Sequence, residues 1–268
     1  EVSILLAKAL GTEIISADSM QIYRGMDIGT AKPSEEQRMS VKHHMIDIIS
    51  SSEPYSAGRY IEDVMPVIEA LHRKGKIPII AGGTGLYIKA MTRGIFSGPS
   101  ADWKLREELA SLEEGQDGAL YSYLQELDSE AASKIMPADT RRIIRALEVC
   151  LKTKKGMSEL QQKLTRPLPY EFIKIGLTRD RKELYKMIEE RVDKMIENGF
   201  VDEVRSLIER FTPSPIHPFT ALQAIGYKET AMYLNGEIPL EEAVRLIKRN
   251  TKRYAKRQFT WFKKEEDI

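Results

Sequence analysis

The sequence is poor in the residues that staple small secreted domains or hold structural metals. One cysteine, Cys150, among 268 residues excludes an internal disulfide framework and fits a reducing compartment. The four histidines show no zinc-ligand spacing, so no structural metal is expected. No apolar run approaches the roughly 18 residues that span a bilayer, and no charged-then-apolar leader opens the chain. A soluble, cytoplasmic protein without a membrane partner is expected. An excess of either charge is also missing: 41 Lys+Arg against 40 Asp+Glu leave a formal net charge of +1. Any nucleic-acid contact must therefore come from local clustering. The length allows one large or two unequal domains, at about 100–200 residues each.

What is present reads as β-α-β. Residues 2–10 form an amphipathic helix that Gly11 is placed to end. A helix opening without a cap and running into a parallel-type strand reads as the second half of a strand–loop–helix unit, so a segment is expected before Glu1. Residues 13–17 (EIISA) read as a buried strand, followed by a long polar loop through Pro33. In open α/β sheets ligands gather just beyond the carboxyl ends of strands, where Asp18 sits. Its carboxylate could take a proton or hold magnesium, with Ser19, Gln21, Thr30 and Lys32 gripping a polar partner. Equally, Asp18 could simply cap the loop, with Gln21 bonding backbone. Further strands are expected at 43–48, 77–81 and 172–177, and a helix at 56–74. Gly82-Gly83-Thr84-Gly85 after the third strand lets backbone approach a phosphate or nucleotide, or packs strand tightly on helix.

From about residue 102 to 169 the composition turns charged and helix-forming, which predicts a helical insertion. Asp139 is placed as N-cap of a helix from Thr140. At about 100° per residue, Arg141, Arg142 and Arg145 share a side opposite Ile143, Ile144 and Leu147. Either a solvated charged face or an anionic partner accounts for them. Residues 183–198 predict a helix stopped by Gly199. Its Arg191 lies within about 60° of the centre of the apolar stripe and needs an anion, either a core carboxylate or a substrate phosphate. Near the C-terminus Arg245, Lys248, Arg249, Lys252, Arg253, Lys256 and Arg257 recur on one helix face, opposite Ala243, Ile247, Tyr254 and Trp261. No acid lies between Glu242 and Glu265, and such a stripe suits a phosphate backbone.

Taken in order, the blocks Asp18 to Tyr23 with Gly29-Thr30-Ala31-Lys32-Pro33, Gly82 to Tyr87, Arg142 to Val149, Ala224 to Glu229 and Tyr254 to Trp261 resemble the tRNA dimethylallyltransferases of bacterial type. The resemblance runs over essentially the whole chain. It implies a P-loop kinase-like α/β core at 1–103 and 170–268, with a helical insertion at 104–169 contacting tRNA. It implies transfer of a dimethylallyl group from its diphosphate to N6 of adenosine 37 in tRNAs reading codons that begin with U, with tRNA and dimethylallyl diphosphate as partners, Mg2+ as cofactor and one monomer per tRNA. The family's phosphate-binding loop, which carries the ATP-type motif and a hydroxyl ligand for magnesium, is absent before Glu1, so the chain as written is expected to be inactive. Carried over by position, Asp18 matches the general base and Arg191 a diphosphate-binding arginine in the catalytic set. Asp18, Ser19, Met20, Gln21, Thr84, Arg106, Arg141, Arg142, Ile143, Ile144, Arg145, Gly226, Tyr227 and Lys228 match tRNA-facing positions. Three rivals are weighed beside this reading: a P-loop kinase or NTPase, an adenylate isopentenyltransferase, and a non-catalytic RNA-binding module. The extended basic surfaces argue against a free-nucleotide substrate, and Asp18 with Arg191 would have no role in a mere binding module.

Overall fold

The computed structural model describes residues 1–210, 221–265 and 267–268. These residues form two compact units. One joins Glu1–Ile88 to the described residues from Tyr170 onward, and the other is Lys89–Pro169.

The first unit is built on a parallel sheet of order β2-β1-β3, with β1 (Ile14–Ser16) between β2 (His43–His44) and β3 (Ile79–Ala81). Ile14 pairs with His43 on one side and Ile79 on the other, and Ser16 lies opposite Ala81. Helices α1 (Val2–Ala9), α2 (Glu35–Ser40), α3 (Ala57–Arg73) and α4 (Gly85–Thr92) alternate with these strands. All three residues of β1 are buried, as expected of a central strand covered on both faces. The strand expected over 43–48 is cut to two residues, because Met45 and Asp47 adopt positive φ (61° and 57°). That geometry ends an extended run, and the chain then runs beside the loop after β1, with Asp47 N–H on Gln21 O (3.1 Å), Ile48 N–H on Ile22 O (2.9 Å) and the Tyr23–Ile49 bridge.

Helix α3 starts where Ser56 Oγ accepts the Arg59 N–H (3.1 Å), and it buries Tyr60, Val64, Ile68 and Leu71 on one stripe. Each such aliphatic side chain contributes about 1.5–3 kcal/mol by burial. Tyr60 stacks on Tyr87 with centroids 4.0 Å apart and donates its hydroxyl to Ser16 O (3.1 Å), which ties α3 and α4 to the end of β1.

The second unit begins at Lys89, earlier than the change in composition near residue 102, because the intervening loop bonds to the helices beyond it. Leu168 N–H reaches Met91 O (2.9 Å), and Arg145 and Lys152 donate to Pro99 O and Ser100 O. Helices α5 (Trp103–Gly115), α6 (Ala119–Leu127), α7 (Ser129–Lys134), α8 (Thr140–Thr153) and α9 (Met157–Leu164) follow. Leu109, Leu120, Leu124, Ile143 and Leu147 make their common core. The cap at Asp139 forms as expected, accepting Arg142 N–H at 3.2 Å. Cys150 is buried on α8, and burial pushes its thiol pKa up.

The chain then returns to the first unit with α10 (Arg181–Glu197), α11 (Phe200–Arg210), α12 (Tyr227–Leu234) and α13 (Leu240–Phe262). Their core joins Val192, Met195, Phe200, Val204, Tyr227 and Ile247 to Ile22, Tyr23 and Met26 of the loop after β1. The strand expected over 172–177 does not form. Ile173, Ile175 and Leu177 are 90, 71 and 74% exposed and pair with no strand among the described residues. Alternating apolar residues make a strand only where a neighbouring strand takes their backbone groups. No described helix is long and apolar enough to cross a membrane.

Candidate active site

The end of β1 brings Asp18 and the glycine-rich turn together. Asp18 Oδ1 accepts the N–H groups of Met20 (2.8 Å) and Gln21 (3.4 Å), while its second oxygen has no hydrogen-bond partner among the described residues. The capping role foreseen for Asp18 is therefore real, and it leaves half of the carboxylate open. The Ser19 amide donates to Thr84 Oγ1 (2.9 Å), and the Thr84 hydroxyl donates to Ser19 Oγ (3.3 Å). The Thr84 amide reaches Ala17 O (3.1 Å). This closeness requires Gly82, where a Cβ would stand 2.3 Å from Ala17 O. The tight strand-to-helix packing that competed with ligand approach is what joins Thr84 to Ala17 and Ser19, the two neighbours of Asp18.

Other polar residues of the loop hold the loop itself. Gln21 takes Ser16 Oγ and donates to Thr30 O (3.3 Å) and Ala31 O. Thr30 donates to Met26 O (2.6 Å). Lys32, with a side chain only 2% exposed, binds Tyr23 O (2.6 Å), Asp27 (2.7 Å) and Asp47. Its three N–H donors are used, so Lys32 and Thr30 do not grip an outside partner as expected from their polarity. Glu203 of α11 accepts the amides of Asp27 (2.9 Å), Ile28 (2.7 Å) and Gly29 (3.2 Å).

The same loop forms one wall of a cleft of about 600 Å³, with Met187, Arg191 and Lys194 of α10 on the other. Arg191 makes no ion pair or hydrogen bond among the described residues. Arg191 is an exposed residue on the cleft wall, yet the protein atoms around its guanidinium draw its pKa below the usual range, opposed by the negative charge of Asp18 nearby. Of the two partners foreseen for Arg191, a contacting core carboxylate is not found. From α13, Gln258 donates to Gly83 O (2.9 Å), and the Trp261 indole fills the space that a Cβ on Gly85 would need. Tyr254 also faces this region: burial and then the charge of Asp18 raise its pKa.

In the second unit, Glu148 is wholly buried and binds Arg106 through both oxygens (3.0 and 2.8 Å), Arg145, and the Asp102 amide (2.6 Å). Arg106 and Arg145 are thus partly neutralised. Arg141 and Arg142 are exposed, the latter beside Asp139 (3.2 Å). Ile143 is buried in the core, and Ile144 is half-buried.

Residues 21–265 match the family described as IPP transferase. The chain belongs to the IPP transferase family. It is 60% identical over 271 residues to the tRNA dimethylallyltransferase of Thermodesulfovibrio yellowstonii, a match covering all of this chain and 86% of that one. The Thermotoga maritima protein of the same name is 49% identical over 267 residues, with the same coverage. Among solved structures, the full-length tRNA isopentenylpyrophosphate transferase of Bacillus halodurans superposes with a TM-score of 0.69 at 43% identity, covering 99% of this chain and 83% of that one. A eukaryotic dimethylallyltransferase acting on tRNA gives 0.77 at 33%, covering 97% and 65%. The family resemblance and the P-loop kinase-like α/β fold inferred from sequence are borne out, and the chain is a transferase.

Within this IPP transferase, some expected surface positions lie inside. Tyr227 is fully buried with its hydroxyl on Glu203 (2.6 Å), and Gly226 is buried with its amide on Glu229 (2.7 Å); only Lys228 of that trio is exposed. The basic stripe of α13 also differs from its sequence reading. Lys248 pairs with Asp193 (2.6 Å) and Lys252 with Glu189 of α10, and Arg245 pairs with Glu242. Arg249, Arg253 and Lys256 line the same groove. Acids absent from α13 after Glu242 are supplied by α10 across the helix interface, which periodicity within one helix does not reveal. Tyr254 and Trp261, assigned to the packed face, are more than a third exposed. Sequence reasoning left Glu203, Glu148 and Gln258 unremarked. For Gln258 and Glu148 the signal was their place in the blocks Tyr254 to Trp261 and Arg142 to Val149, whereas Glu203 stands out only once folded.

Proposed function

We propose that this transferase moves a dimethylallyl group from dimethylallyl diphosphate to N6 of adenosine 37 in the anticodon loop of tRNAs reading codons that begin with U, releasing diphosphate. It acts in the cytoplasm as a monomer on one tRNA. The observation that carries the reading is Asp18, fixed at the strand tip through one oxygen with the other open, beside the unpaired Arg191 of the cleft. The exocyclic nitrogen attacks the allylic carbon as that carbon's bond to the diphosphate oxygen breaks. The electron pair leaves with diphosphate toward Arg191, and the N6 proton passes to Asp18. An amine conjugated with a purine is a weak nucleophile, so a carboxylate of set orientation both aims it and removes its proton. The target base leaves its stack to reach the loop tip, where Ser19, Met20, Gln21 and Thr84 surround Asp18. Arg106, Arg141, Arg142, Ile144, Arg145 and Lys228 contribute the tRNA-facing surface, and Ile143, Gly226 and Tyr227 support it from beneath.

Magnesium enters from the family resemblance. Among the described residues no three of His, Cys, Asp and Glu gather to hold a metal ion, so these residues do not make a site for it. The test mixes full-length protein with labelled dimethylallyl diphosphate, magnesium and unmodified tRNA, with AMP and ATP as rivals. Label in the anticodon loop without ATP is the expected result. Label in AMP alone, or ATP turnover without prenylation, overturns it.

A further inference from the structure

Glu203 makes no ion pair among the described residues, yet its carboxylate collects four hydrogen bonds. One oxygen accepts the amides of Asp27 and Ile28, and the other accepts the Gly29 amide and the Tyr227 hydroxyl. Three successive N–H groups converging on one anion form a nest, and charge-assisted bonds of this kind are about twice as strong as neutral ones. Gly29 permits it: a Cβ there would stand 2.4 Å from Phe200 and 2.5 Å from Tyr227. The residues that leave the nest, Ala31, Lys32 and Pro33, line the cleft opposite Arg191.

We infer that Glu203 is a positioning residue for prenyl transfer: with Tyr227 behind it, it presets the loop wall that faces Arg191 and so fixes the space in which the allyl diphosphate sits. The inference rests on the functional reading above. It gives the segment 224–229 a task on the diphosphate side of the reaction, because its aromatic residue anchors the clamp from within. Glu203→Gln keeps size and turns an NH2 group toward one pair of donors, so at least one pair loses its acceptor. Tyr227→Phe removes a single hydroxyl and leaves the ring packing intact.

The experiment measures, in full-length wild type and both variants, kcat and KM for dimethylallyl diphosphate, Kd for tRNA, and hydrogen exchange at the amides of residues 27–29. Expected is a fall of about 10–100-fold in kcat/KM for the diphosphate in Glu203→Gln, a smaller fall in Tyr227→Phe, faster exchange at the three amides, and tRNA affinity within about twofold of wild type. Unchanged kinetics in folded variants overturn the inference. So does a loss confined to tRNA affinity in Tyr227→Phe, which would make Tyr227 a support of the RNA-facing surface alone and not of the cleft wall. If Glu203→Gln fails to fold, Tyr227→Phe decides. A wild type that does not prenylate tRNA refutes the functional reading instead, and the exchange data still decide whether the clamp exists.

Discussion

Asp18 carries two duties on one carboxylate. Because Oδ1 is occupied by the amides of Met20 and Gln21, Asp18→Asn preserves the turn and removes only the proton acceptor. Single-turnover label transfer should fall by about 10²–10⁴-fold, while filter binding shows tRNA affinity retained; equal loss of both would give Asp18 a docking role. Gly82→Ala acts differently, since the clash is with backbone that cannot move aside. It should lower stability by about 1–3 kcal/mol or more, read as the denaturation midpoint, and reduce transfer with it. The position of Asp18 was legible from an apolar strand ending in a polar loop. The fate of its neighbours was not: Gln21, Thr30 and Lys32 look as available in sequence as Asp18, and only the folded loop shows their donors already taken.

Helix α8 shows how one element can hold two kinds of arginine. Arg141 and Arg142 face solvent, and replacing both with alanine should weaken tRNA binding and lower the slope of log affinity against log salt by about 1–2, measured by titration at several salt concentrations. An unchanged slope would return them to a solvated surface. Arg145 instead joins Arg106 on buried Glu148. Desolvation of Glu148 opposes ionisation, but hydrogen bonds from Arg106, the Asp102 amide and Arg145 outweigh it and hold the pKa below the ordinary 4.5. The stabilisation is therefore complete above that value and disappears as pH falls through the lowered one. Glu148→Gln should cost about 1–3 kcal/mol near neutrality, the arginines being partly exposed. The stability difference from wild type should shrink on acidification; a gap constant from pH 7 to 3 would show that the charge is not what matters. The helical period of α8, α10 and α13 was readable because burial within a helix follows its own repeat. The ion pairs from α10 to α13, and the unformed strand at 172–177, depend on a second element that no local pattern contains.

Over the whole molecule the near balance of charge hides an uneven distribution: among the described residues Arg141 on α8 and Arg249 and Arg253 along the α13 groove make no ion pair, whereas Arg142 sits on Asp139. The change in composition near residue 102 was legible, but the start of the second unit at Lys89 was not, because the loop ahead of residue 102 is claimed by α8 through backbone carbonyls that carry no sequence signature. Cys150 lies on that helix, buried, and is the chain's one thiol. Nature has thus installed a site-specific reporter in Lys89–Pro169 and none in the rest. The rate at which a thiol reagent reaches it times the opening of that unit against the global unfolding seen by other probes. Arg106→Ala should accelerate the reaction, and bound tRNA should slow it where the RNA grips this unit, so the opening of this unit can be followed at one native position without an engineered cysteine.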